Sequence, residues 1–218
     1  MKFLFYSLSQ TNILSMFKNT FFLFFLLFAQ MAAAQSEYFE GFILYEYQYY
    51  DLDGKDITEM MGPLHGREQH YYINAGNYKA FDENGNLIQL YNSRDNSYYF
   101  NRAGKLFQLD AGQTYSDPPK FSKISKRKKI AGYTCKGIES QNDSETPSVY
   151  FVSDKLKIHT AAFLEHNLGN WNDFLRVSQG SIFLEYIGYK ADHYIVMTAK
   201  QIKPMKLPDS EFELEKYL

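Results

Sequence analysis

Short apolar runs punctuated by turn-forming tetrads constrain this chain more than any other feature. Between residues 69 and 109 the runs 71–73, 78–81, 87–91, 98–100 and 106–109 are separated by Asn74-Ala75-Gly76-Asn77, Asp82-Glu83-Asn84-Gly85, Ser93-Arg94-Asp95-Asn96 and Arg102-Ala103-Gly104-Lys105. Gly-containing tetrads and Asn supply the positive φ angles that tight hairpins need. The runs are too short for helices, and the spacing leaves no room for the crossover of a dozen or more residues that parallel strands require. The segment therefore predicts an antiparallel meander.

The flanking segments extend that reading. Residues 37–50 alternate, with Phe39, Gly41, Ile43, Tyr45, Tyr47 and Tyr49 in one phase and Glu40, Glu46 and Gln48 in the other. Period-two alternation of this length marks a long strand with one face buried. A polar link, 111–122, carries Pro118-Pro119. Strands are expected again at 129–139 and 148–152, joined by the polar loop 140–147. Residues 161–179 are the best helical candidates, because Phe163, Leu164, Leu168, Trp171, Phe174, Leu175 and Val177 can share one stripe, split at Gly169. A last hairpin, 182–189 and 194–202, turns around Lys190-Ala191-Asp192-His193. Both of its strands are apolar on both faces, which a sheet wet on one side would not be. The expected fold is mainly β with a few helices: an antiparallel sheet curved around something apolar, with helices or loops plugging its concave side.

The N-terminus gives an address. Lys18, the apolar run 21–28 and Met31-Ala32-Ala33-Ala34-Gln35 have the layout of a cleaved secretory signal. The expectation is a signal peptide at 1–34 and a single β-rich domain at 35–218, periplasmic or secreted. A retained anchor needs about 20 apolar residues, more than this run has. The bacterial lipid anchor needs a cysteine just after the cleavage point, whereas the only cysteine is Cys135. No stable membrane anchor and no intramolecular disulfide are therefore expected.

Removing residues 1–34 removes Lys2 and Lys18 and no acids, which leaves 21 basic against 25 acidic residues and a net charge of −4. That balance excludes a nucleic-acid binder, whose affinity rests on clustered Lys and Arg. The basic run Lys126-Arg127-Lys128-Lys129 reads as a solvated strand edge that resists aggregation. The chain carries 19 Tyr and 19 Phe against one Trp. Tyrosine suits a half-buried pleated surface, since its ring packs while its hydroxyl finds a partner.

Candidate chemistry is sparse. His65-Gly66-Arg67-Glu68-Gln69-His70 lacks the i, i+4 pairing by which two histidines share a zinc, and Gly66 argues for a loop. Glu165-His166 with His159 offers nothing stronger. Asp51-Leu52-Asp53-Gly54-Lys55-Asp56 departs from the calcium-loop order after its second position and reads as a polar turn. There is no G-x-S-x-G elbow, no Gly-rich phosphate loop, and Cys135 sits in a strand where a lone cysteine behaves as a small hydrophobe. No catalytic residue, metal or cofactor is expected, and the chain reads as a non-enzyme.

The segment Lys129-Ile130-Ala131-Gly132-Tyr133-Thr134-Cys135-Lys136, the early Phe39-Glu40-Gly41 and the ending Ile202-Lys203 to Leu207-Pro208-Asp209-Ser210-Glu211-Phe212-Glu213 resemble exported domains of unknown function common in Bacteroidetes. Those domains look like relatives of the LolA, LolB and LppX periplasmic lipoprotein-carrier superfamily. The resemblance spans residues 39–217 and implies a curved antiparallel half-barrel closed by helices over an apolar cavity. It further implies a hydrophobic ligand, a lipid or an acylated protein segment, held without catalysis by a monomer. The aromatic faces supply the expected cavity wall: Phe39, Ile43, Tyr45, Tyr47, Tyr98, Phe100, Leu184 and Tyr186. The alternative is an envelope protein-interaction or structural module with a filled core.

Overall fold

The computed structural model describes residues 37–102, 104–114, 118–141 and 147–217. The expected signal peptide, 1–34, and its cleavage point lie outside them. Eleven strands form one open, wholly antiparallel sheet: β1 (Gly41–Asp51), β2 (Glu68–Ile73), β3 (Asn77–Phe81), β4 (Leu87–Asn92), β5 (Ser97–Arg102), β6 (Lys105–Asp110), β7 (Lys120–Ile130), β8 (Tyr133–Gln141), β9 (Ser148–Lys157), β10 (Ser181–Tyr189) and β11 (His193–Pro204). Their order across the sheet is β6-β5-β4-β3-β2-β1-β11-β10-β9-β8-β7. The predicted meander is β2 to β6, each strand paired with the next. The long first strand is central, flanked by β2 and β11, so the two ends of the domain meet there.

Two short helices complete the fold. Helix α1 (Thr58–His65) follows β1, with the Asp56 carboxylate accepting the Thr58 N–H at 2.8 Å at its start. The sequence reading has only a turn in this region, because Gly62 and Pro63 mask an eight-residue helix. Between β9 and β10 the predicted helical stretch is broken into single-turn 3-10 pieces, Thr160–Phe163 and Leu168–Asn170, and helix α2 (Trp171–Val177). The break falls at Gly169, whose φ is 65°.

The stretch read as one strand over 129–139 is in fact a hairpin corner. Ala131 and Gly132 have φ of 46° and 86°, the paired positive angles of a two-residue turn that reverses β7 into β8. Alanine tolerates this conformation poorly, so the sequence gives little warning of it. The basic run lies on β7, an edge strand, with Lys126, Arg127, Lys128 and Lys129 exposed. Lys128 reaches back to the buried Glu185 carboxylate at 2.5 Å, which also accepts the Thr198 hydroxyl at 3.1 Å.

Curvature follows from side chains that meet across the sheet. Tyr78 on β3 and Phe183 on β10 are four strand spacings apart, about 19 Å in a flat sheet. Yet the Trp171 ring lies 6.2 Å from one and 6.3 Å from the other. The sheet therefore wraps around residues 160–177, and its concave face forms the main core with Phe163, Phe174 and Leu175. The patterning predicts this curved sheet with its concave side plugged, and the resemblance implies the half-barrel closed by helices. On the opposite face of β3 and β4 a smaller core is capped by the C-terminal 3-10 turns Asp209–Phe212 and Leu214–Tyr217. There the Lys79 ammonium, buried against four aromatic rings, donates to the Glu211 carboxylate at 3.1 Å and to the Tyr217 hydroxyl at 2.7 Å.

Cys135 is fully buried on β8. Burial pushes its thiol up to about 11, so almost no thiolate exists at neutral pH. Native protein should accordingly label with a thiol reagent only as fast as it unfolds. Labelling at the rate of a free peptide cysteine would contradict this packing.

Candidate functional site

The concave face is built by strand parity. Side chains of β1 at 43, 45, 47 and 49 share a face with Gln69, Tyr71 and Ile73 of β2, because Tyr45 pairs with Gln69 and Ile43 with Tyr71. Register carries the face outward through Tyr78 and Ala80 of β3 and Gln89 and Tyr91 of β4 to Tyr98 and Phe100 of β5. On the other side Tyr47 pairs with Met197, which pairs with Tyr186. Aromatic rings thus line the inside of the curve from one half of the sheet to the other.

Residues 160–177 fill much of this concavity, and between them and the sheet remains a pocket of about 190 Å³ lined by Tyr45, Gln69, Tyr71, Tyr78, Gln89, Trp171, Ile182, Phe183 and Met197. Trp171 packs on Phe174 at 5.5 Å and bounds the pocket from the helical side. The phenols around it are held by hydrogen bonds. Tyr45 donates to the Phe183 carbonyl at 2.7 Å, Tyr47 to Gln69 Oε1 at 2.5 Å and Tyr98 to Gln89 Oε1 at 2.9 Å. Burial raises the Tyr45, Tyr71 and Tyr78 phenols far above their ordinary range and pushes Tyr98 up to about 12. All four therefore stay neutral and able to donate at any physiological pH.

His166 anchors the helical segment behind this pocket. It is buried, with Nε2 2.6 Å from the Tyr78 hydroxyl and its ring against Tyr91 at 4.3 Å and Tyr78 at 5.7 Å. Its Nδ1 has no partner among the described residues. Removal from water lowers its pKa to about 4, so it is a neutral packing group at pH 7.

The eight residues expected to form the wall fall into distinct places. Tyr45 lines the pocket, and Tyr47 and Tyr98 hold the two glutamines that line it. Phe39, Ile43 and Leu184 are buried in the main core. Tyr186 packs on Tyr150 at 5.0 Å, and Phe100 stacks on Phe107 at 5.4 Å toward the outer edge of the meander. Sequence reasoning missed Gln69, Tyr71, Tyr78, Gln89, Trp171, Ile182, Phe183 and Met197. A signal for two of them was present: Gln69 and Gln89 each interrupt an otherwise apolar strand phase, ahead of Tyr71 and Tyr91 respectively.

Other candidate chemistry does not converge. His65 ends α1 with its ring 6.0 Å from Tyr49 and 6.4 Å from His193, whereas His70 Nε2 lies 3.1 Å from Glu68. Among the described residues no three His, Cys, Asp or Glu side chains gather as a metal cluster would require. A second cleft of about 360 Å³ lies along β7 and β8, with Lys123, Arg127 and Lys136 among its lining residues and Lys136 paired with Asp154. Ile124, Ile138, Val152 and Val177 line it as well, so its wall mixes aliphatic and charged side chains. Among the described residues no helix is long and apolar enough to cross a membrane.

Comparison with known proteins gives likeness of backbone alone. No family model matches the chain, and no curated protein matches its sequence. Among solved structures, PNGF-II in its P21 crystal form is similar at 16% identity and a TM-score of 0.45, over 79% of this chain. This chain spans only 30% of the length of PNGF-II. The LolA superfamily protein NE2245 from Nitrosomonas europaea is similar at 8% identity and a TM-score of 0.35, over 84% of this chain and 93% of its own. LprF from Mycobacterium bovis is similar at 11% identity and a TM-score of 0.30, over 77% of this chain and 89% of its own.

Proposed function

We propose that this chain is an exported, monomeric, non-catalytic domain that encloses a hydrophobic ligand between the concave face of its sheet and the segment 160–177. The observation that carries the reading is the pocket itself: about 190 Å³ walled by Tyr45, Tyr71, Tyr78, Trp171, Ile182, Phe183 and Met197, with Gln69 and Gln89 as its polar members. Dry apolar cavities of about 150 Å³ take up benzene-sized guests. The pocket is therefore matched to a ring or to the end of one acyl chain. A whole lipid or acylated protein segment enters only if residues 160–177 shift, which breaks the hydrogen bonds from the Asn167 and Leu168 N–H groups to the Ala111 carbonyl at 2.8 and 3.0 Å and the tie between His166 and Tyr78. Burying roughly 200 Å² of ligand surface at ~25 cal/mol per Å² contributes about 5 kcal/mol, against which the lost freedom of the ligand is set. The signal-like N-terminus supports work outside the cytoplasm after removal of residues 1–34, which the intact mass of exported protein checks.

A second reading, a surface-interaction module with a filled core, draws support from Phe163 and Phe174, which pack into the same concavity. The chain's one tryptophan separates the two. Cyclohexane added to the mature protein should change Trp171 emission saturably, with excitation selective for indole. No change in a protein that remains folded would favour the filled-core module.

A further inference from the structure

The pocket's polar atoms are arranged asymmetrically. Three of its acceptors already receive a proton: Gln69 Oε1 from the Tyr47 hydroxyl, Gln89 Oε1 from the Tyr98 hydroxyl and the Phe183 carbonyl from the Tyr45 hydroxyl. The Gln69 and Gln89 N–H₂ groups and the Tyr71 hydroxyl belong to residues that line the same space and can donate into it. The buried Trp171 Nε1–H has no partner among the described residues. Buried polar groups in native proteins are almost always hydrogen-bonded, so this unmet donor at the pocket asks for a specific explanation. Water or a ligand oxygen can meet it.

No Lys, Arg or protonatable His lines this pocket. An anion placed there would lose its hydration without gaining a counter-charge, which is costly in an apolar setting. A neutral carbonyl oxygen has two lone pairs and no such penalty. From this geometry we infer that the ligand is an apolar chain or ring bearing a neutral hydrogen-bond acceptor, an ester or amide carbonyl rather than a free carboxylate. Gln69, Gln89, Tyr71 and Trp171 select it. This inference rests on the enclosure reading above and adds the chemical class of the ligand. The tying of Gln69 and Gln89 by Tyr47 and Tyr98 makes those two tyrosines positioning residues: they fix which end of each carboxamide is free.

Titration calorimetry at pH 8 with methyl hexanoate, hexanoate and heptane tests it on the mature protein. Wild type should bind methyl hexanoate at least about tenfold more tightly than hexanoate. Gln89→Met removes the N–H₂ donor at similar length without adding a charge, and Trp171→Phe removes the indole donor while keeping a ring. Each should weaken the ester about tenfold more than it weakens heptane, the worth of one hydrogen bond in a buried site. Equal binding of ester and carboxylate, or variants that weaken heptane as much as ester, would overturn the inference while leaving enclosure intact. Failure of the wild type to bind either heptane or ester would remove both.

Discussion

Leu184→Arg should abolish cooperative folding. Leu184 has no exposed surface and sits in the main core on β10, next to the pocket-lining Ile182 and Phe183. Arginine there has neither room nor a counter-charge, and an unpaired buried charge costs several kcal/mol. Set against a whole-domain stability of about 5–15 kcal/mol, a loss of roughly 4 kcal/mol or more is expected. Tyr47→Arg should be milder, since Tyr47 is only partly buried and loses chiefly its hydrogen bond to Gln69. Urea unfolding followed by circular dichroism measures both. A Leu184→Arg protein as stable as the wild type would mean that β10 does not lie in a packed core.

Acid should loosen the domain through His166. Its folded pKa of about 4 lies below the unfolded value of about 6.5. Between these values the unfolded chain binds the extra proton and the folded one does not. His166 therefore costs no stability above about pH 6.5, and stability falls as the pH drops toward 4. A difference of this size corresponds to about 3 kcal/mol once both limits are passed. His166→Gln can still hydrogen-bond to the Tyr78 hydroxyl but does not titrate, so it should remove this part of the pH dependence. Urea midpoints of wild type and variant, compared from pH 7 to pH 4, should converge as the pH falls. Parallel curves would show that His166 titrates normally and is not sealed behind the pocket.

The sheet was legible in the chain because its signals are local. Tetrads such as Asp82-Glu83-Asn84-Gly85 set the turns, alternation from Phe39 to Tyr49 set β1, and the two-faced apolarity of 182–189 pointed to a sheet wrapped around something. The hairpin at Ala131-Gly132 was not legible, because alanine at positive φ leaves no compositional mark. Helix α1 was hidden by Gly62 and Pro63. The pocket was only partly legible for a different reason. Alternation tells which side chains share a face, and it placed Tyr45, Tyr47 and Tyr98 on the concave one. It does not tell where residues 160–177 will lie, and that segment decides which of those side chains become core and which face a gap. Trp171 was recognised as part of an apolar stripe, yet its role at the pocket depends on contacts with β3 and β10, which are far apart in sequence.

Enclosure of an ester by the concave face can be seen in a crystal structure of the mature protein grown with methyl hexanoate. Ligand density should appear bounded by Tyr45, Tyr71, Trp171, Ile182 and Met197, with its carbonyl oxygen within hydrogen-bond distance of Gln69, Gln89, Tyr71 or Trp171. Well-ordered crystals in which Trp171 fills the space and no ligand density appears there would contradict it.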